Sequence, residues 1–138
     1  MRVFLDSNVL LSALIRIDSN PYKLVRAWLD GRFELISSPE QLDELSRASR
    51  YPGLRRFLAP AEIGWLINRI RERASMIERL PQTDVAADPA DNFLLAMAEE
   101  ANAEYLVTGD KAALLSLGQH GGTRVLSASQ MVSTLKLR

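Results

Sequence analysis

Four acids in this chain fall where chemistry is possible. Asp6 ends the apolar run of MRVFLDSNVL, and Asp110 ends that of EYLVTGDKAAL. Glu44 lies in the helical stretch PEQLDELSRA, and Asp91 opens a helix in DPADNFLLAMA. Asp6 and Asp110 each follow a segment that reads as a parallel strand, and open α/β sheets bind ligands just beyond the carboxyl ends of their strands. Carboxylates gathered there repel one another unless a cation lies between them. A hard divalent ion, Mg²⁺ or Mn²⁺, held by oxygen ligands resolves that repulsion. The chemistry this pattern points to is metal-dependent phosphoryl transfer.

Composition narrows the ligands further. The chain has no cysteine, which excludes disulfides, thiolate zinc sites and cysteine nucleophiles. A single histidine, His120, excludes a zinc centre built on several imidazoles. That histidine, in His120-Gly121-Gly122, reads as a turn residue rather than a general base. Any metal must therefore rest on carboxylates, carbonyls and water.

Each acid also has a plainer reading. Asp6, followed by Ser7 and Asn8, suits a helix N-cap, and so does Asp110 before KAALLSL. Asp88 before Pro89 is an N-cap by spacing, with Asp91 as its capping-box partner or as a first-turn acid favoured by the helix dipole. The division preferred here gives Asp88 the cap and Asp91 the metal-facing role. Glu44 and Glu40 stand one turn apart, so either can reach inward, and a solvated helix face accounts for both.

The elements that must position these residues alternate between strand and helix. Apolar runs at 2–5, 33–37, 104–108 and 123–127 read as strands, and MIERL before Pro81 as a short fifth. Helices are expected at VLLSALI, at PYKLVRAWLD after an Asn20 cap and before Gly31, and from Pro39 to about residue 49 behind the capping box Ser38-Pro39-Glu40-Gln41. Further helices are expected from Pro60 through AEIGWLINRIRERASM, from Pro89 to about residue 101, at KAALLSL, and at SASQMVSTLKL. Tyr51-Pro52-Gly53 breaks the chain. Trp28 and Trp65 sit at helical positions that read as core. This order predicts an α/β fold, a three-layer α/β/α sandwich around a central parallel sheet. At 138 residues one domain spanning 1–138 is expected, with an ordinary hydrophobic share of 47% and a charged share of 25%.

Charge is balanced overall but not locally. Between Arg47 and Arg79 stand eight arginines against Glu62, Glu72 and Glu78. Such a stretch suits a polyanionic partner, or a solvated helix with arginine stems packed along it. The charged Asp6 interrupts the N-terminal apolar run almost at once, and no stretch approaches the ~20 apolar residues of a membrane span. A cytoplasmic location with no membrane partner is the expectation.

Taken together, VFLDSNVL at 3–10, the glutamate-bearing ISSPEQLDELSRA, and DPADNFLLAMAEEANAEYLVTGDKAALL resemble the PIN-domain nucleases over essentially the whole chain. The resemblance implies that Asp6, Glu44, Asp91 and Asp110 bind Mg²⁺ or Mn²⁺. It implies that Asn8 and Thr108 support the site and that Asp88 is an additional acid beside it. The stretch ISSPEQLDELSRASRYP looks most like the bacterial VapC-like toxin components of toxin–antitoxin systems. That likeness implies an RNA substrate, a cognate antitoxin protein and the homodimerisation common in the family.

Other classes fit less well. A PIN-like fold kept only for partner binding would tend to lose one of the four acids. A haloacid-dehalogenase-type enzyme needs an aspartate at position 8, which is Asn. A receiver domain needs an acid pair before Asp6, which is missing.

Overall fold

The computed structural model describes residues 1–78, 89–109 and 112–138, except the side chains of residues 89, 90 and 113. The chain forms β1 (Arg2–Leu5), α1 (Ser7–Ile15), α2 (Asn20–Leu29), β2 (Glu34–Ser37) and α3 (Pro39–Ala48). Next come α4 (Pro52–Arg55), α5 (Pro60–Arg73), β3 (Ser75–Met76), α6 (Pro89–Ala101) and β4 (Tyr105–Val107). The chain closes with α7 (Ala112–Leu117), β5 (Gln119–His120), β6 (Thr123–Leu126) and α8 (Ala128–Leu135).

The strands lie in the order β3-β2-β1-β4-β6-β5. All neighbours are parallel except β5 and β6, which form an antiparallel hairpin at one edge. The sheet is thus not parallel throughout. Gly121, at φ +57°, lets the chain reverse in the turn and pairs His120 with Thr123.

Strands buried on both faces must be apolar on both sides, and β1 shows why its sequence lacks alternation. Val3 and Leu5 pack into a core shared with α1, α2, α3, α5 and α8, whereas Phe4 points the other way, into a core with α6 and α7. All three side chains are fully buried, each worth about 1.5–3 kcal/mol relative to exposure. The result is the expected three-layer α/β/α sandwich.

Helix boundaries follow local chemistry. Ser19, rather than Asn20, caps α2 by accepting from the Tyr22 amide, and Gly31 ends that helix at φ +81°. α8 carries a reciprocal capping box between Ser127 and Gln130. At α3 the box is only half formed. Ser38 Oγ accepts from the Gln41 amide, but the Gln41 side chain turns away into the core. Three other expectations shift. The short fifth strand lies at Ser75–Met76, beginning one residue before MIERL and sharing Met76 with it; the last two residues of MIERL lie outside the described residues. The break after Tyr51 contains the single helical turn α4. Trp28 is core as expected, but Trp65 is 44% exposed, beside the Arg69 guanidinium.

Candidate metal and phosphodiester site

β1 is interior to the sheet, with β2 on one side and β4 on the other. The helix after β1 packs on one face, and the helix that follows β4 packs on the opposite face. Such a divergence opens a crevice at the carboxyl ends of the two strands. Asp6 and Thr108 are the first residues beyond those ends. Leu5 pairs with Val107, and the Asp6 amide extends the ladder by donating to Val107 O at 2.9 Å. One step past that register, Thr108 Oγ1 donates to Asp6 Oδ2 at 3.0 Å.

In this geometry the side chain of Asp6 does not cap the helix it precedes. The residue does occupy the N-cap position of α1, yet its side chain makes no capping hydrogen bond. Only 4% exposed, it is oriented by Thr108, which is itself fully buried. A carboxylate taken that far from water needs polar partners, and the Thr108 hydroxyl is one that it has.

An open cleft of about 320 Å³ lies over this position, lined by Asp6, Asn8, Glu40, Glu44, Arg47, Phe93 and Leu94. It spans both helical layers. Glu40, Glu44 and Arg47 share one face of α3, at successive-turn spacing, while Gln41, Leu42, Leu45 and Ala48 form its buried face. Both glutamates left open by the sequence therefore reach the cleft. Asp91 sits in the first turn of α6 and is 6% exposed, unlike a solvated first-turn acid. Phe93 and Leu94, just beyond it, contribute the opposite wall. Asp88 and Asp110 lie outside the described residues.

The structure thus brings Asp6, Asn8, Glu44 and Thr108 to one place. Of the described arginines between 47 and 79, Arg47 alone lines the cleft; Arg69 instead pairs with Glu72 at 2.9 Å. His120 is elsewhere, in the edge hairpin, with Nε2 2.6 Å from Glu99 Oε1.

A family model for the PIN domain matches residues 2–112, a span running from β1 into α7. The chain belongs to the PIN-domain family. PIN domains are generally nucleases and typically use divalent metal ions. Among curated proteins none matches the chain.

The donors present suit such an ion. Asp6, Asn8, Glu40 and Glu44, which line the PIN-domain cleft, each carry a side-chain oxygen, the hard donor that Mg²⁺ and Mn²⁺ prefer. Among the described residues no three acidic or imidazole groups meet closely enough to enclose an ion.

Sequence reasoning missed Gln41. It is 1% exposed, and its Nε2 donates to Leu5 O at 2.8 Å and lies 3.4 Å from Ser7 Oγ. Its Oε1 accepts from Ser37 Oγ at 2.6 Å. The available signal was a polar residue on the apolar stripe of α3, at the spacing of Leu45 and Ala48.

Proposed function

We propose that this chain is a Mg²⁺- or Mn²⁺-dependent ribonuclease of the VapC-like kind. What supports the reading is the cleft in which Asp6, held by Thr108, and Glu44 face a common space beside Arg47. Asp6, Glu44, Asp91 and Asp110 are the residues that would hold the cation. When bound, that cation would lower the pKa of water and offset charge gathering on the phosphate.

The protein's own groups supply orientation and grip. Thr108 fixes which carboxylate oxygen of Asp6 turns toward the cleft. Arg47 binds a phosphate flanking the scissile one, and Phe93 offers a flat apolar wall to an unstacked base. Water adds to phosphorus in line as the 3′ oxygen leaves and takes up a proton, giving a 5′-phosphate and a 3′-hydroxyl. No side-chain nucleophile is needed.

As a VapC-like toxin, the single domain would act in the cytoplasm and be silenced by a cognate antitoxin, with a homodimer as its working form. No described helix is long and apolar enough to cross a membrane. The deciding experiment incubates the purified chain with RNA in Mg²⁺, in Mn²⁺ and in EDTA, and maps the ends produced. Metal-dependent cuts with 5′-phosphates, lost in Asp6→Asn, support the reading. Equal cutting by Asp6→Asn, or no cutting in either metal, overturns it.

A further inference from the structure

Asp6 and Glu44 come from different elements, so something must fix α3 against the end of β1. Apolar packing alone sets a separation loosely, because it has no direction. Hydrogen bonds do have direction, and a buried network with every member satisfied holds one arrangement. Gln41 supplies such a network. Its amide nitrogen reaches Leu5 O and Ser7 Oγ, the two residues flanking Asp6 in sequence. Its amide oxygen accepts a hydrogen bond from the hydroxyl of Ser37, the last residue of β2. Its backbone amide is capped by Ser38. One side chain therefore joins the ends of two strands to the first turn of α3, and Glu44 follows one turn later.

We infer that Gln41 is a positioning residue that sets where Glu44 stands relative to Asp6. Two consequences follow from its place on the helix. Its contact with Leu5 O fixes how closely α3 approaches β1, and its contact with Ser37 fixes the rotation of α3 about its own axis. That rotation decides whether the face bearing Glu40, Glu44 and Arg47 meets the cleft or turns to solvent. An apolar residue at position 41 would fill the space, yet it would leave a buried carbonyl and two buried hydroxyls with fewer partners, and α3 free to settle elsewhere. The functional part of this inference rests on the proposed cation site.

The test compares wild type, Gln41→Met, Asp6→Asn and Met131→Ala. Met131 is fully buried on α8 and serves as a destabilised control that lies outside the cleft lining. Crystal structures of wild type and Gln41→Met report the Asp6–Glu44 separation directly. Calorimetric titration with Mn²⁺ reports what that separation does. Glu44 should be displaced in Gln41→Met, and Mn²⁺ affinity should fall about tenfold or more, as for groups that orient metal ligands. Met131→Ala should lower the melting temperature while leaving Mn²⁺ affinity within about twofold, since distant sites act independently. An unmoved Glu44 in Gln41→Met, or Mn²⁺ affinity equal to wild type, overturns the inference. Absence of Mn²⁺ binding by wild type, or its persistence in Asp6→Asn, sinks the cation site instead, and the crystal structures still decide on Gln41.

Discussion

Thr108 Oγ1 and Asp6 Oδ2 lie 3.0 Å apart in the buried end of the sheet, although 102 positions separate them along the chain. The bond exists because β1 and β4 are parallel neighbours in a register that sets the residues after Leu5 and Val107 side by side. Thr108→Val keeps the shape and removes the donor. Cleavage should fall about tenfold or more while Thr108→Ser retains most of it, following the behaviour of groups that orient ligands. Stability should drop by about 1.5–3 kcal/mol in Thr108→Val, the usual contribution of a hydrogen bond to a charged group. Cleavage rates and thermal melts on the three proteins check both expectations.

Charge at the strand ends is the next lever. Asp6→Asn and Asp110→Asn should each lower cleavage about a thousandfold or more while the circular dichroism spectrum stays native, because the cation's catalytic contribution is lost with its ligands. In Asp6→Asn the new amide oxygen would still accept from Thr108, which keeps this link between β1 and β4. A well-folded Asp6→Asn with undiminished metal-dependent cutting removes Asp6 from the site.

Glu40 and Glu44 share the cleft face of α3, and the sequence left them equivalent. Glu44→Gln should weaken Mn²⁺ binding about tenfold or more, whereas Glu40→Gln should change it by about threefold at most, through long-range charge alone. Titration of the two variants side by side separates a ligand from a rim charge. The reverse ranking would move the α3 ligand to position 40.

Arg47 is the described basic residue that lines the cleft. Arg47→Ala should weaken RNA binding across sequences and reduce the slope of log affinity against log salt by about 0.7, the effect of one lost phosphate contact on a single strand. Binding measured at several salt concentrations in Ca²⁺, to hold cleavage in check, reads this out. An unchanged slope removes Arg47 from the RNA path.

His120 faces Glu99 in the edge hairpin and does not line the cleft. His120→Gln should therefore leave cleavage within about twofold of wild type, where loss of a true general base would cost about a hundredfold or more. A large loss would mean that the mechanism uses an imidazole after all.

Much of this architecture was legible one segment at a time. Pro39 behind Ser38 started α3, Gly31 ended α2, and β1 read as a strand buried on both sides because it has no polar residue between Arg2 and Asp6. Trp65 misled because helical spacing shows that a residue belongs to a stripe, but not whether a neighbouring helix covers it. The β5–β6 hairpin was missed because two residues are too few to show a period.

The sequence by itself determined the alternation of elements, the oxygen-only chemistry open to a chain without cysteine, and the four acids as candidates. Those properties are local: they depend on residue type and on spacing within a turn or a strand. Only the tertiary structure decided that Asp6 is held by Thr108 rather than spent as a cap, and that Glu40 and Glu44 both reach the cleft. It also decided that Gln41, which the sequence presents as half of a capping box, joins α3 to the ends of β1 and β2. Each of these depends on strand order and register, which bring together residues far apart in the chain and which no local pattern encodes.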